Sequence, residues 1–207
     1  MKVEIFQVGL AGANCYFVIN ENTNEAVVID PGGMLTKMEE FIKTSKITIK
    51  AILLTHGHFD HIMGIDEILK YGKAPVYILD KDSQLLTNAD LNASISFLRE
   101  GYTYNGAINV EDAEVLHPAG FDFEVIATPG HTRGSCCFYI RSEGVLFSGD
   151  TLFYESIGRT DLAGGGPDIY QSIKNRLFTL SEETIVYPGH NNATTIGHEI
   201  AGNPFIH

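Results

Sequence analysis

The segment Thr55-His56-Gly57-His58-Phe59-Asp60-His61 constrains this chain more than any other stretch. Three histidines and an aspartate stand within six residues, directly after the apolar run 51–54. Core packing and helix capping do not call for such a density of titratable rings. Neutral imidazoles and a carboxylate are good ligands for zinc, and for iron or manganese. In an extended turn His56 and His58 project the same way, two residues apart. Asp60 and His61 would then sit at the mouth of the following helix, facing a different point. One contiguous loop of this kind suits two metal ions rather than one.

Three further segments repeat the construction. Run 123–127 leads through Thr128-Pro129-Gly130 into His131, run 145–147 through Ser148-Gly149 into Asp150, and run 184–187 through Pro188-Gly189 into His190. In each, an apolar run ends, a glycine permits a tight turn and close backbone approach, and a ligand-type residue follows at once. Five of the eight histidines thus fall at the carboxyl ends of predicted strands. Such positions converge on one edge of a sheet, where α/β proteins commonly bind ligands. His117, His198 and His207 lack this setting and receive no role. Asp30 follows run 26–29 and precedes Pro31-Gly32-Gly33. It has two readings: an Asx-type turn, or a carboxylate that orients a ligand histidine from behind.

A length of 207 residues favours one domain, 1–207. With 44% hydrophobic and 19% charged residues the composition is that of a folded chain. The net charge of −12 argues against a grip on nucleic acid or anionic membranes, which needs a basic face. No run approaches the length of a membrane span, and the first ten residues lack the charged-then-apolar order of an export signal. Cys15, Cys136 and Cys137 form no C-x-x-C pair and no even framework. Reduced, buried thiols in a cytoplasm are expected; assembly into a homo-oligomer stays open.

Apolar, often β-branched runs predict strands at 3–8, 15–19, 26–29, 51–54, 75–79, 121–127, 136–140, 145–147 and 184–187. Helical spacing predicts helices at 35–42, 62–70 and 169–180, the last capped by Asp168. The weakly patterned residues 81–111 are expected to hold short helices and loop. Strands and helices alternate without one repeating βα unit, which predicts a layered α/β protein with mixed sheets. Neither Gly32-Gly33 nor Gly164–Gly166 is a phosphate cradle, since no Lys-Ser/Thr follows and no G-x-G-x-x-G opens a helix.

Thr-His-x-His-x-Asp-His at 55–61, then Gly130-His131, Gly149-Asp150 and Gly189-His190, resembles the metallo-β-lactamase-fold superfamily in order and separation across nearly the whole chain. Asp30-Pro31-Gly32-Gly33, the Gly149–Phe153 and Gly158–Leu162 segments and the Asn203-Pro204-Phe205 tail look like the short glyoxalase II-like hydrolases. The resemblance implies a four-layer αβ/βα sandwich of two mixed sheets flanked by helices, with a dinuclear site between the sheets. It implies His56, His58 and His131 on a first metal, Asp60, His61 and His190 on a second, and Asp150 bridging them. Two divalent ions are expected, zinc before iron or manganese. Full-length glyoxalase II enzymes carry an additional C-terminal helical region that helps hold glutathione, and these residues do not extend to one, so the carrier thiol stays open. Arg133 stands where many relatives have Pro, and is either a surface charge or a partner for a substrate carboxylate at the cleft rim. Arg159, at a position where the glyoxalase II pattern is basic, is the better anchor, because a guanidinium fork suits carboxylates.

The activity so implied is hydrolysis of a small-molecule thioester, an S-acyl derivative of glutathione or a similar thiol, by metal-activated water. Asp60 and Asp150 would serve the reaction through the metals. A thiolate, with a conjugate acid near ~8.5, can leave without a dedicated proton donor. A persulfide dioxygenase with one iron on His56, His131 and Asp150 ranks second. A lactonase or β-lactamase follows, and a metal-binding protein without catalysis is the non-enzyme reading, disfavoured because closed structural zinc sites are usually rich in cysteine.

Overall fold

A computed structural model describes residues 1–98 and 100–206; His207 lies outside the described residues. The first sheet takes strands in the order β1 (Lys2–Val8), β2 (Ala13–Asn20), β3 (Glu25–Ile29), β4 (Thr48–Leu54), β5 (Val76–Leu79) and β6 (Ile108–Val110). β1 to β3 are antiparallel neighbours, and β3 to β6 run parallel. The second sheet comprises β7 (Val115–Leu116), β8 (Phe123–Ala127), β9 (Cys136–Ile140), β10 (Val145–Gly149), β13 (Ile185–Pro188) and β14 (Thr194–Thr195). A two-strand ribbon, β11 (Leu152–Phe153) with β12 (Ser156–Ile157), follows β10. Both main sheets are mixed, as expected.

The inner strands β2, β3, β9 and β10 are buried along almost their whole length because both faces of each sheet are covered, whereas edge strand β1 is mostly exposed or half-buried. In β2, Cys15, Phe17 and Ile19 point to an outer cluster, whereas Tyr16 and Val18 point inward. In β9, Cys136, Phe138 and Ile140 point inward and Cys137 and Tyr139 outward. The period of two thus builds three apolar layers. The central one, with Val27, Ile29, Ala51, Leu53, Phe138 and Phe147, lies between the sheets. Met38 and Ile42 of α1 (Thr36–Ser45), Ile62 of α2 (Phe59–Ile62) and Ile65 and Ile68 of α3 (Ile65–Leu69) cover the first sheet. Ile169 of α6 (Asp168–Ser172), Ile173 and Leu177 of the following π-helical turn, and Ile196 of α7 (Ile196–Gly202) cover the second. The result is a four-layer αβ/βα sandwich.

Some expectations need correcting. The helix over 62–70 is two helices, α2 and α3, parted at Gly64, whose N–H donates to the Pro31 carbonyl at 2.6 Å. Asp168 does not cap its helix: it is the first helical residue, Pro167 precedes it, and no side-chain cap bond forms. Its charge still suits a helix N-terminus. Residues 81–111 hold α4 (Ser83–Thr87) and α5 (Ser94–Phe97), and also the unforeseen β6. The strands β7, β11, β12 and β14, each two residues long, and helix α7 were also not foreseen. Elements that short carry no readable period. All three cysteines are free and buried. Among the described residues no helix is long and apolar enough to cross a membrane.

Candidate metal centre

β8, β10 and β13 run the same way in the second sheet, as β3, β4 and β5 do in the first. Their carboxyl ends meet at one rim, and every residue singled out as a ligand follows one of them. β4 delivers His56, His58, Asp60 and His61; β8, β10 and β13 deliver His131, Asp150 and His190. The backbone comes close here. A Cβ at Gly189 would lie 2.2 Å from Asp150 Oδ1 and 2.9 Å from His61 Cε1, so only glycine fits ahead of His190.

Besides Asp30 with His56 and His61, which meet the same spacing, two triads result, His56 with His58 and His131, and Asp60 with His61 and His190, each with ligand-type atoms within 4.8 Å of one another. Asp150 stands between them. Its carboxylate lies 3.4 Å from His61 Nε2, 3.5 Å from His131 Nε2 and 3.6 Å from His190 Nε2. Asp60 approaches His190 Nε2 at 3.4 Å and His61 Nε2 at 3.8 Å.

On three of the five rings the nitrogen facing away from the cluster is engaged. His131 Nδ1 donates to the Arg159 carbonyl at 2.8 Å, and His56 Nδ1 lies 3.1 Å from Thr55 Oγ1. His61 Nδ1 lies 3.0 Å from Asp30, whose carboxylate also accepts from the Thr55 N–H and Oγ1 at 2.8 and 2.6 Å. Asp30 therefore orients His61 from behind. Facing inward, His56 Nε2 and His61 Nε2 are unsatisfied, whereas His58 Nδ1 and His131 Nε2 meet at 2.9 Å. Among the described residues, buried polar side-chain atoms without a hydrogen-bond partner are His56 Nε2, His58 Nε2, His61 Nε2, Asp150 Oδ1 and Thr184 Oγ1, and four of these five belong to the cluster. Orphaned buried polar atoms are costly, and so many in one place fit a cationic guest.

The electrostatics agree. Burial, then its imidazole neighbours, pushes His56 well below its ordinary value. Burial and the nearby His131 push His58 down to about 3. Burial also works against a charge on His61, but Asp150, Asp60 and Asp30 outweigh it and push this ring up to about 10. Burial alone would raise the Asp60 carboxyl, yet His61 and His190 hold it below the usual carboxylate range. The cluster thus keeps neutral donors on one side and calls for positive charge on the other.

A cleft of about 530 Å³ opens over the cluster, with Leu10, Phe97, Phe153 and Leu162 among its apolar walls. Phe97 stacks on Phe59 with ring centroids 5.0 Å apart. Arg159 lies at its edge, where its guanidinium clasps Asp161 at 2.7 and 2.8 Å. Arg133 does not line this cleft. The loop turns between His131 and Arg133, because Thr132 is buried and donates to Asp82 at 2.7 Å. Asp82 was not foreseen. Fully buried, it also accepts from the Gly57 N–H at 3.1 Å and the Gly134 N–H at 2.6 Å, tying the two histidine loops together. Nothing local marks it.

The profile of the Metallo-beta-lactamase superfamily matches residues 8–190, and the chain belongs to that superfamily. It is 38% identical over 208 residues to the probable metallo-hydrolase YqgX of Bacillus subtilis, covering 100% of this chain and 98% of that one. It is 32% identical over 210 residues to the hydroxyacylglutathione hydrolase GloC of Haemophilus influenzae, with the same coverage. Among solved structures, BLEG-1 B3 metallo-beta-lactamase aligns at a TM-score of 0.93 with 40% identity, over 99% of each chain. TTHA1623 in a di-iron-bound form aligns at 0.87 with 35% identity, over 99% of this chain and 100% of that one. ETHE1 from Myxococcus xanthus aligns at 0.79 with 26% identity, over 99% and 84%. The histidine and aspartate clusters are thus those of a divalent-metal centre.

Proposed function

We propose that the chain is a metal-dependent hydrolase of thioesters, acting on S-acyl derivatives of glutathione or a similar small thiol at a pair of divalent cations, zinc first. The observation that carries this reading is the two triads of donors with Asp150 between them. His56, His58 and His131 would hold one cation, Asp60, His61 and His190 the other, and Asp150 both. Bound divalent cations lower the pKa of water from 15.7 towards ~7 and polarise an acyl carbonyl.

The chain's own groups supply the rest. Asp150 and Asp60 set the negative charge of the centre and hold its geometry. Asp30 keeps His61 turned so that Nε2 faces the cluster. The Arg159 carbonyl does the same for His131. No lysine, glutamate or tyrosine is among the described residues lining the cleft. That fits a leaving group which departs as a thiolate and needs no proton donor. The similarity to GloC supports the thioester substrate, and Arg159 at the rim is proposed to meet a substrate carboxylate by exchange with Asp161.

Elemental analysis of protein purified without added metal, with S-lactoylglutathione as substrate, tests this. About two ions per chain and release of free thiol are expected. The likeness to ETHE1 favours a second reading, a dioxygenase with one iron. One iron per chain, with oxygen uptake on glutathione persulfide and no thiol release, would replace the first reading with the second.

A further inference from the structure

A second cleft, of about 760 Å³, lies beside the metal cleft, with Lys81, Leu85, Leu91, Arg133 and Gly164 among its lining residues. The two clefts share no lining residue but draw on neighbouring stretches of the chain. Leu91 faces this one and Ala93 the metal cleft; Ala163 faces this one and Leu162 the metal cleft. Arg133 stands two residues beyond His131, on the other side of the turn made by buried Thr132.

We propose that this cleft binds an anionic group, carboxylate or phosphate, on the thiol carrier of the substrate, with Lys81 and Arg133 as its cationic partners. The carrier itself rests on the thioester reading above; the anion site rests on three observations of its own.

The first is the state of the arginine. Arg141, Arg159 and Arg176 each clasp a carboxylate. Among the described residues Arg133 has no carboxylate partner, and neither has Lys81, in a chain of 26 acidic against 14 basic residues. The second is that the acids nearby are occupied. Asp80 shares the lining but accepts from Asn109 Nδ2 at 2.6 Å. Asp82 is sealed beneath, bonded to Gly57, Thr132 and Gly134. Asp168 faces the adjoining hollow, where Lys81 and Arg133 also appear, and among the described residues forms an ion pair with neither. The third is that the wall is shaped around the arginine. Gly164 has φ +86, and a Cβ there would come within 3.3 Å of Arg133 Cγ. Glycine supplies both the left-handed turn and the room for the stem.

A guanidinium beside an ammonium suits a carboxylate or phosphate oxygen. Calorimetry on the metal-loaded protein tests the site without turnover. The probes are S-methylglutathione for carboxylates, S-methyl coenzyme A for phosphates, and neutral S-methyl-N-acetylcysteamine. Blocking the sulfur removes direct thiolate binding to metal. At least one anionic probe is expected to bind tighter than the neutral one, increasingly so at low salt. The K81E/R133E chain should lose about tenfold or more of that affinity, whereas K81R/R133K keeps most of it. Which anionic probe responds identifies the chemistry of the carrier. No preference over the neutral probe, or equal affinity in the K81E/R133E chain, overturns the proposal. Failure of every thioester assay would instead overturn the hydrolase reading and leave this measurement standing.

Discussion

His58 Nδ1 and His131 Nε2 lie 2.9 Å apart. His131 spends its Nδ1 proton on the Arg159 carbonyl, so its Nε2 turns a lone pair towards His58. In the metal-free chain the Nδ1–H tautomer of His58 can donate to that lone pair, and a bound cation would replace this bond with two donor contacts. Because a bound cation stabilises only the folded state, its removal should loosen the fold as well as stop turnover. A ligand present at a thousand times its dissociation constant stabilises by about 4 kcal/mol. At about 2–4 °C per kcal/mol for a chain of this size, chelation should lower Tm by roughly 8–16 °C. Scanning calorimetry with and without chelator measures it, and an unchanged Tm would contradict the metal assignment.

Asp82 couples the loops of His58 and His131 without touching either ring. Asp82→Asn keeps the shape but sets an amide N–H against one of the three donors. A loss of about 1–3 kcal/mol in stability is expected from the unsatisfied group. Metal affinity should fall roughly tenfold or more, as for other groups that support ligands from behind. Urea unfolding and metal titration report the two separately. Full affinity in that variant would remove Asp82 from the support of the centre.

Asp60→Asn tests the second triad. A neutral amide is a weaker donor to a cation than a carboxylate. Metal content should drop from about two ions per chain towards one, with a slower thioester hydrolysis. The first triad, on His56, His58 and His131, should stay loaded. Two tightly held ions at wild-type rate would exclude Asp60 as a ligand.

Asp112 gives a pH dependence away from the centre. Burial would raise its carboxyl, but the Arg176 guanidinium and the Ala127 and Ala113 N–H groups hold it below its ordinary value. A group depressed in the folded state stabilises above its unfolded pKa of about 3.9, and that contribution disappears as pH falls through the folded value. The Arg176 pair is half exposed, so its worth is only about 0.2–1 kcal/mol. Urea midpoints of the wild type and Asp112→Asn should differ steadily from pH 7 to 5, and the gap should close below pH 4. A gap that widens in acid would reverse the sign.

Burial pushes the thiols of Cys15 and Cys136 well above their ordinary value and that of Cys137 up to about 12. A thiolate is the reactive form. An aromatic disulfide reagent at pH 8 should thus label none of the three in the native protein and all three in denaturant. Fast labelling without denaturant would show that the apolar layers open readily.

The donor set was legible because its signal is local: titratable residues packed behind apolar runs that end in glycine. The sandwich was legible for a related reason, since strands covered on both faces read as unbroken apolar runs. Asp82 was not, because its partners Thr132 and Gly134 lie 50 and 52 residues away and its own segment has no period. The break at Gly64 was hidden too, being set by a carbonyl from the Pro31 turn rather than by helix propensity. Arg159 and Arg133 both read as anion partners. Only the packed chain shows that Asp161 occupies the first and that the second opens into a different cleft.

Because β4 carries one share of the donors and β8, β10 and β13 the other, the two sheets behave as jaws and an ion held between them as a staple. Phe138 and Phe147, buried at the seam, keep the two jaws in register, so a repacked seam would shift one share of the donors against the other without altering a single donor.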